Sequence, residues 1–242
     1  MIRVKNKGFT LIESLIAMVI SVIAVAAMFF AYQYFNSAYK SIGNRATISE
    51  AGRNSLSQIA KDLRNAGYKN KNYQGTWDKK IELKNNSYEG GDHLTVWFNT
   101  NKSTKAKSEY YIKKIDGENH LVTQLFENGS AVQSTPASIV ENATDFQVIL
   151  RDKNGAEITA VNEANQDTVH TAEVYVTVRS YDELYRTNRI TKIFNNLNST
   201  TGRDEELDED KYHRETFFLS VHLRNLAKSW KLITKIVKKV LL

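Results

Sequence analysis

The chain has 242 residues, 41% hydrophobic and 25% charged, enough to bury one ordinary core and too short to make two large domains the natural arrangement. It has no cysteine, which excludes a disulfide framework, a thiolate metal site and a cysteine nucleophile. The net charge of +6 sits at the ends, in Arg3, Lys5 and Lys7 and in Lys228, Lys231, Lys235, Lys238 and Lys239; the body is slightly acidic, so a nucleic-acid partner has at most a local patch to bind and no broad basic face supports one.

The first predicted element is apolar. No residue between Glu13 and Lys40 is charged, and the run from Ser14 to Tyr39 exceeds the roughly 20 residues that a helix needs to cross hydrocarbon. The basic start should stay cytoplasmic and the chain after Lys40 should lie outside. A conventional signal peptide would be cut near Ala24-Val25-Ala26 or Ala27, yet the apolar run continues through Met28, Phe29 and Phe30, and Glu13 interrupts it. An uncleaved signal anchor accounts for the hydrophobicity but leaves Gly8 and Glu13 without a reason. Glu13 discriminates, because a carboxylate in a membrane segment costs about 2.5 to 3.5 kcal/mol even on lenient scales and calls for a partner. Cleavage after Gly8 would create one, since the new amine on Phe9 is cationic near neutral pH, with an unperturbed pKa of about 7.7 to 8.0. In a helical stack of subunits, Glu13 can neutralise a neighbour's amine, and either charge buried alone would be costly. The simpler alternative is a Glu at the headgroup boundary.

The stretch Lys7-Gly8-Phe9-Thr10-Leu11-Ile12-Glu13 resembles the processing site of type IV prepilins. The resemblance implies that a membrane-embedded prepilin peptidase cuts after Gly8 and methylates Phe9, and that Glu13 is the charge used in recruitment into a filament. It also implies a single-pass protein of the bacterial inner membrane, cytoplasmic at its N-terminus and periplasmic beyond, entering a pilus after assembly.

After Lys40 the chain turns polar without a break. Ile48, Gly52, Leu56, Ile59 and Leu63 recur at steps of four, four, three and four, one apolar stripe of an amphipathic helix. Arg45, Glu50, Arg53, Lys61, Asp62 and Arg64 fall on other faces, and Gly67 stands where a C-terminal cap is expected. One continuous or gently bent helix from about Phe9 to Ala66 would be roughly 87 Å long. The only proline is Pro136, so no proline kink is available in the membrane span. That agrees better with a minor than with a major pilin. Leu56 to Tyr68 is similar to the helix end of PilW-type minor pilins and of J-type minor pseudopilins of type II secretion.

Six runs alternate with period two: His93 to Phe98, Glu109 to Ile115, Leu121 to Phe126, Phe146 to Arg151, Ala172 to Arg179 and Phe217 to Arg224, each reading as a half-buried strand. Asp116-Gly117, Asn128-Gly129 and Asn154-Gly155 supply hairpin turns. The predicted fold class is therefore α+β, pilin-like, with a long N-terminal helix packed on an antiparallel sheet. The segment from Tyr212 to Asn225 also resembles the end of PilW-type proteins. The expected organisation is a leader over 1–8, a transmembrane assembly segment over 9–39, a pilin-like domain over 40–225 and a basic amphipathic tail over 226–242.

Asp204-Glu-Glu-Leu-Asp-Glu-Asp210 lies in a polar stretch and reads as a solvated loop rather than a calcium site, since EF-hand spacing is absent. In the tail, Leu226, Trp230, Ile233, Val237 and Val240 share one helical face, which suits either an anionic membrane surface or docking on the protein itself; this tail departs from the pilin pattern. His93, His120, His170, His213 and His222 are scattered without metal-ligand spacing, and no catalytic or nucleotide-binding motif occurs. No enzyme, cofactor or metal is expected. The expected role is a minor pilin that primes assembly of a type IV pilus and sits at or near its tip. Its expected partners are the prepilin peptidase, other minor pilins, the major pilin and the inner-membrane assembly platform. Alternatives are a minor pseudopilin of type II secretion and a tip-displayed module for adhesion or DNA binding.

Overall fold

The computed structural model describes residues 10–71, 79–88, 91–100, 104–185, 187–192 and 206–226. The chain forms two compact units, residues 1–44 and 45–242, and one helix, α1 (Leu11–Asn65), contributes to both. In the first unit α1 has no proline and no glycine before Gly43, so every peptide group past the first turn can close its own helical bond. That is the requirement for a backbone in lipid. Ser14, Ser21 and Ser37 donate their hydroxyls to the carbonyls of Thr10, Ala17 and Tyr34. These side chains thus satisfy themselves on the helix that presents them.

In the second unit the rest of α1 lies on a sheet. The expected stripe is the buried one: Ile48, Gly52, Leu56, Ile59 and Leu63 are buried, joined by Ser55 and Ala60. Arg45, Glu50, Arg53, Lys61 and Arg64 are exposed. Gly52 is fixed by packing, because a Cβ there would come within 2.2 to 2.6 Å of the Phe217 ring. Gly67 ends the helix at φ +70°, the left-handed conformation glycine favours, and its N–H donates to the Trp97 carbonyl at 2.8 Å.

The sheet contains β1 (Ile81–Tyr88), β2 (Gly91–Asn99), β3 (Lys105–Ile115), β4 (Glu118–Glu127), β5 (Ser130–Ala131), β6 (Ala137–Glu141), β7 (Ala143–Arg151), β8 (Thr171–Glu183) and β11 (Tyr212–His222). Its order is β11-β8-β7-β2-β3-β4-β5, with β1 on β2 and β6 on β4. Pairing is antiparallel except where β2 meets β7 at Gly91↔Phe146. Asp116 and Gly117 have φ of 53° and 92°, and Asn128 and Gly129 of 49° and 89°. Both pairs of positive φ suit the tight hairpins they close. All six expected strands are present, the last shifted to begin at Tyr212 and end at His222. The alternation in β8 holds, with Ala172, Val174, Val176 and Val178 buried, and in β11 Phe217 and Val221 face the core.

The acidic stretch departs from its reading as a loop. Glu206–Asp210 is β10, paired antiparallel with β9 (Arg189–Lys192) in a separate two-stranded sheet. The reason is local compensation: Asp210 accepts two hydrogen bonds from the Arg214 guanidinium at 2.6 and 2.5 Å and one from the Tyr212 N–H, so the like charges do not all face water together. Burial opposes ionisation of Asp210, but these bonds outweigh it and hold its carboxyl below the usual range. Asp204 and Glu205 lie outside the described residues, as does the tail beyond Leu226. Leu226 itself is buried in the core, and its neighbour Asn225 donates from its side-chain amide to the Arg64 carbonyl at 2.9 Å.

Candidate assembly site at the start of the helix

Of the three expected site residues, Gly8 and Phe9 lie outside the described residues, and Glu13 stands in the first turn of α1. Its immediate partner is Thr10. The Thr10 N–H and hydroxyl each donate to Glu13 Oε2 at 2.8 Å, and the Glu13 N–H donates to Thr10 Oγ1 at 3.3 Å. This is a reciprocal capping box, with Thr10 at the N-cap and Glu13 three residues on. A carboxylate at this end also complements the positive pole of the helix. The spacing Thr-x-x-Glu carries this signal in the sequence, and reading Glu13 only against a distant amine passes over it.

The capping box changes what Glu13 can do. Its carboxylate is ordered within its own chain before any neighbour arrives. A carboxylate offers about four acceptor positions, so two bonds to one oxygen leave room for an ammonium group. Because the Thr10 N–H belongs to the Phe9–Thr10 peptide bond, a cut between Gly8 and Phe9 leaves the box intact.

Beyond Glu13 the helix is long and apolar enough to span a bilayer, and its apolar segment is not covered by protein within its own unit. Tyr32, Tyr34, Phe35 and Tyr39 cluster towards the end of the uncharged run, the aromatic composition typical of a membrane boundary. Elsewhere, the described residues contain no group of three or more His, Asp or Glu side chains placed to hold a metal. His222 is exposed at the end of β11, with its ring 5.9 Å from that of His170.

A polar contact that the sequence does not reveal joins helix to sheet. Tyr110, fully buried in β3, donates its hydroxyl to Asp62 of α1 at 2.7 Å. Burial first, and the Asp62 charge second, push the Tyr110 pKa far up, so this hydroxyl remains a donor at every physiological pH.

Residues 3–29 match the prokaryotic N-terminal methylation motif. No curated protein matches the chain. Among solved structures, it is similar to the type IV-like pilin TTHA1219 from Thermus thermophilus, with a TM-score of 0.53 and 13% identity over 74% of this chain and 98% of that one. A match at that identity speaks for the fold, and the motif speaks for the N-terminus. The chain thus carries a prokaryotic N-terminal methylation motif at its start and a fold similar to that of a type IV-like pilin.

Proposed function

We propose that the chain is a minor pilin, made as a prepilin, cut after Gly8 and methylated on Phe9, that primes assembly of a type IV pilus and takes a place at or near its tip. The observation that carries this reading is the methylation motif over residues 3–29 leading into a capped helix that is uncharged from Ser14 to Tyr39. In the assembled state Glu13, already oriented by Thr10, accepts the Phe9 ammonium of an adjacent subunit, so that neither charge is buried alone. The unbroken helix across Leu11–Asn65 supports a minor rather than a major role. The same N-terminal chemistry would serve a pseudopilin of type II secretion.

Deletion and shearing separate these roles. Loss of surface filaments on deletion, with the restored chain present in sheared filaments far below the major subunit, is the expected outcome. Normal filament number with lost adhesion or DNA uptake would move the role to a tip-displayed binding module. Lost protein secretion with filaments unaffected would move it to a pseudopilus.

A further inference from the structure

The start of β8 and the end of β11 bring together two histidines that are far apart in the sequence. The His170 N–H donates to the Arg151 carbonyl of β7 at 2.8 Å, and the His170 carbonyl accepts the Leu223 N–H at 2.8 Å. His222, the last residue of β11, pairs with Thr171, the first of β8. Both backbones are thus fixed in one ladder, and the imidazoles they carry meet with ring centroids 5.9 Å apart and planes tilted by 47°. His170 is half-buried and His222 is exposed. Neither ring has a hydrogen-bond partner among the described residues.

Imidazole nitrogens that bond to nothing in the chain are available as ligands. A metal ion held by two of them at about 2.0 to 2.1 Å sets the ring centroids about 5 Å apart at a tetrahedral angle and about 6 Å apart at a wider one. The observed spacing lies within that range. The charges around the pair also suit a cation. Asp152 stands within electrostatic reach of His170, its carboxylate held in place by the N–H groups of Asn154 and Ala156 at 2.8 and 2.9 Å. Arg151, whose carbonyl His170 binds, has its own charge compensated by Glu173 at 2.9 Å. Among the described residues no third side chain completes a ligand set. Two imidazoles therefore leave the remaining coordination positions open to water or a small anion, unlike a closed structural site.

We propose that His170 and His222 form a binding site for a late first-row divalent metal ion, which takes one nitrogen from each ring and binds as Cu2+ more tightly than as Zn2+. That order is the general one for such ions, and imidazole suits both. The bound ion ties the end of β11 to the start of β8, beside Leu223, where the chain leaves the sheet. The site lies wholly within the unit of residues 45–242, so it stands whether or not the chain is cut at Gly8.

The test uses the full-length chain, solubilised in detergent and made without a polyhistidine tag, titrated calorimetrically with Zn2+ and separately with Cu2+. The expected result is saturable uptake of one ion per chain, displacement of Zn2+ by Cu2+, and an electron spin-echo spectrum of the Cu2+ form that reports two imidazole ligands. His222→Gln, at an exposed position, should shift the melting midpoint of the metal-free chain by no more than about 2 °C. It should weaken Zn2+ binding at least about tenfold, since even the loss of a group that only orients a metal ligand costs that much, and it should leave one imidazole in the Cu2+ spectrum. His170→Gln should do the same, and if that variant does not fold, His222→Gln decides alone. His120→Gln, whose ring bonds to Ser138 instead, should leave binding unchanged. No saturable uptake by the folded chain, uptake unaltered by His222→Gln, or a Cu2+ spectrum with other than two imidazoles overturns the proposal and leaves the two rings as an aromatic contact only.

Discussion

Gly52 provides a quantitative test of how α1 meets its sheet. A Cβ at this position would stand 2.2, 2.4 and 2.6 Å from three carbons of the Phe217 ring, far inside van der Waals contact, so the ring or the helix must move. Overpacking of this kind costs about 1 to 3 kcal/mol. Removing a glycine from a helix interior contributes about 1 kcal/mol in the other direction. Gly52→Ala should thus be destabilising by up to about 2 kcal/mol, a fall in melting midpoint of up to roughly 8 °C for a domain of this size. Gly43, in the same helix with nothing within 4 Å of where a methyl group would stand, is the control, and Gly43→Ala should not lower the midpoint. Shrinking the ring partner in Gly52→Ala/Phe217→Leu should recover part of the loss, a coupling that a double-mutant cycle measures. Circular dichroism melts of the detergent-solubilised chain provide the readout. If Gly52→Ala melts as high as Gly43→Ala, Phe217 does not pack on this helix as described.

Tyr110→Phe should be destabilising by about 1 to 3 kcal/mol, because it leaves the Asp62 carboxylate without the hydroxyl that meets it, while Asp62→Asn, which keeps an acceptor, should cost less in the same denaturant titration. Glu109 is held down to about 2 from 4.5, chiefly by its contact with His93 against the opposing effect of burial, with Lys107 adding to the lowering. A carboxyl depressed in the folded state stabilises above its unfolded pKa and loses that contribution as pH falls. Stability should therefore decline between about pH 5 and pH 2 by an amount on the order of 1 kcal/mol after solvent screening, and Glu109→Gln should flatten that part of an acid titration. Thr10→Val removes the hydroxyl from the capping box and should weaken the helix start by about 0.5 to 2 kcal/mol, read as faster amide exchange over residues 11–14. Cleavage at Gly8 should persist in that variant, and filament incorporation should fall less than in Glu13→Ala.

Much of this architecture is legible because its signals are local. The stripe from Ile48 to Leu63 and the alternation of β8 follow from the periods of helix and strand, and Asp116-Gly117 and Asn128-Gly129 name their own turns. β1 escapes a reading by period because Asn85, Asn86 and Ser87 break its alternation after Ile81 and Leu83, and β6 because five residues are too few to show one. β10 reads as a loop because the counter-charge that permits it, Arg214, lies beyond the acidic run. The Asp62–Tyr110 contact joins residues 48 apart in sequence, and no period or motif records such a pair. The exposed edge of β11 is likewise a property of strand order, which a strand's own sequence does not contain. At the candidate site the reverse holds: Thr10 and Glu13 are three apart, and their capping box is legible directly.

On the function proposed here, the chain is matured by one cut that converts Phe9 into the terminus on which assembly depends. Mass determination of the N-terminal peptide from isolated membranes tests this most directly. The expected peptide begins at Phe9 and carries one added methyl group on its amine. A peptide retaining Met1, or one beginning near Met28, would contradict it.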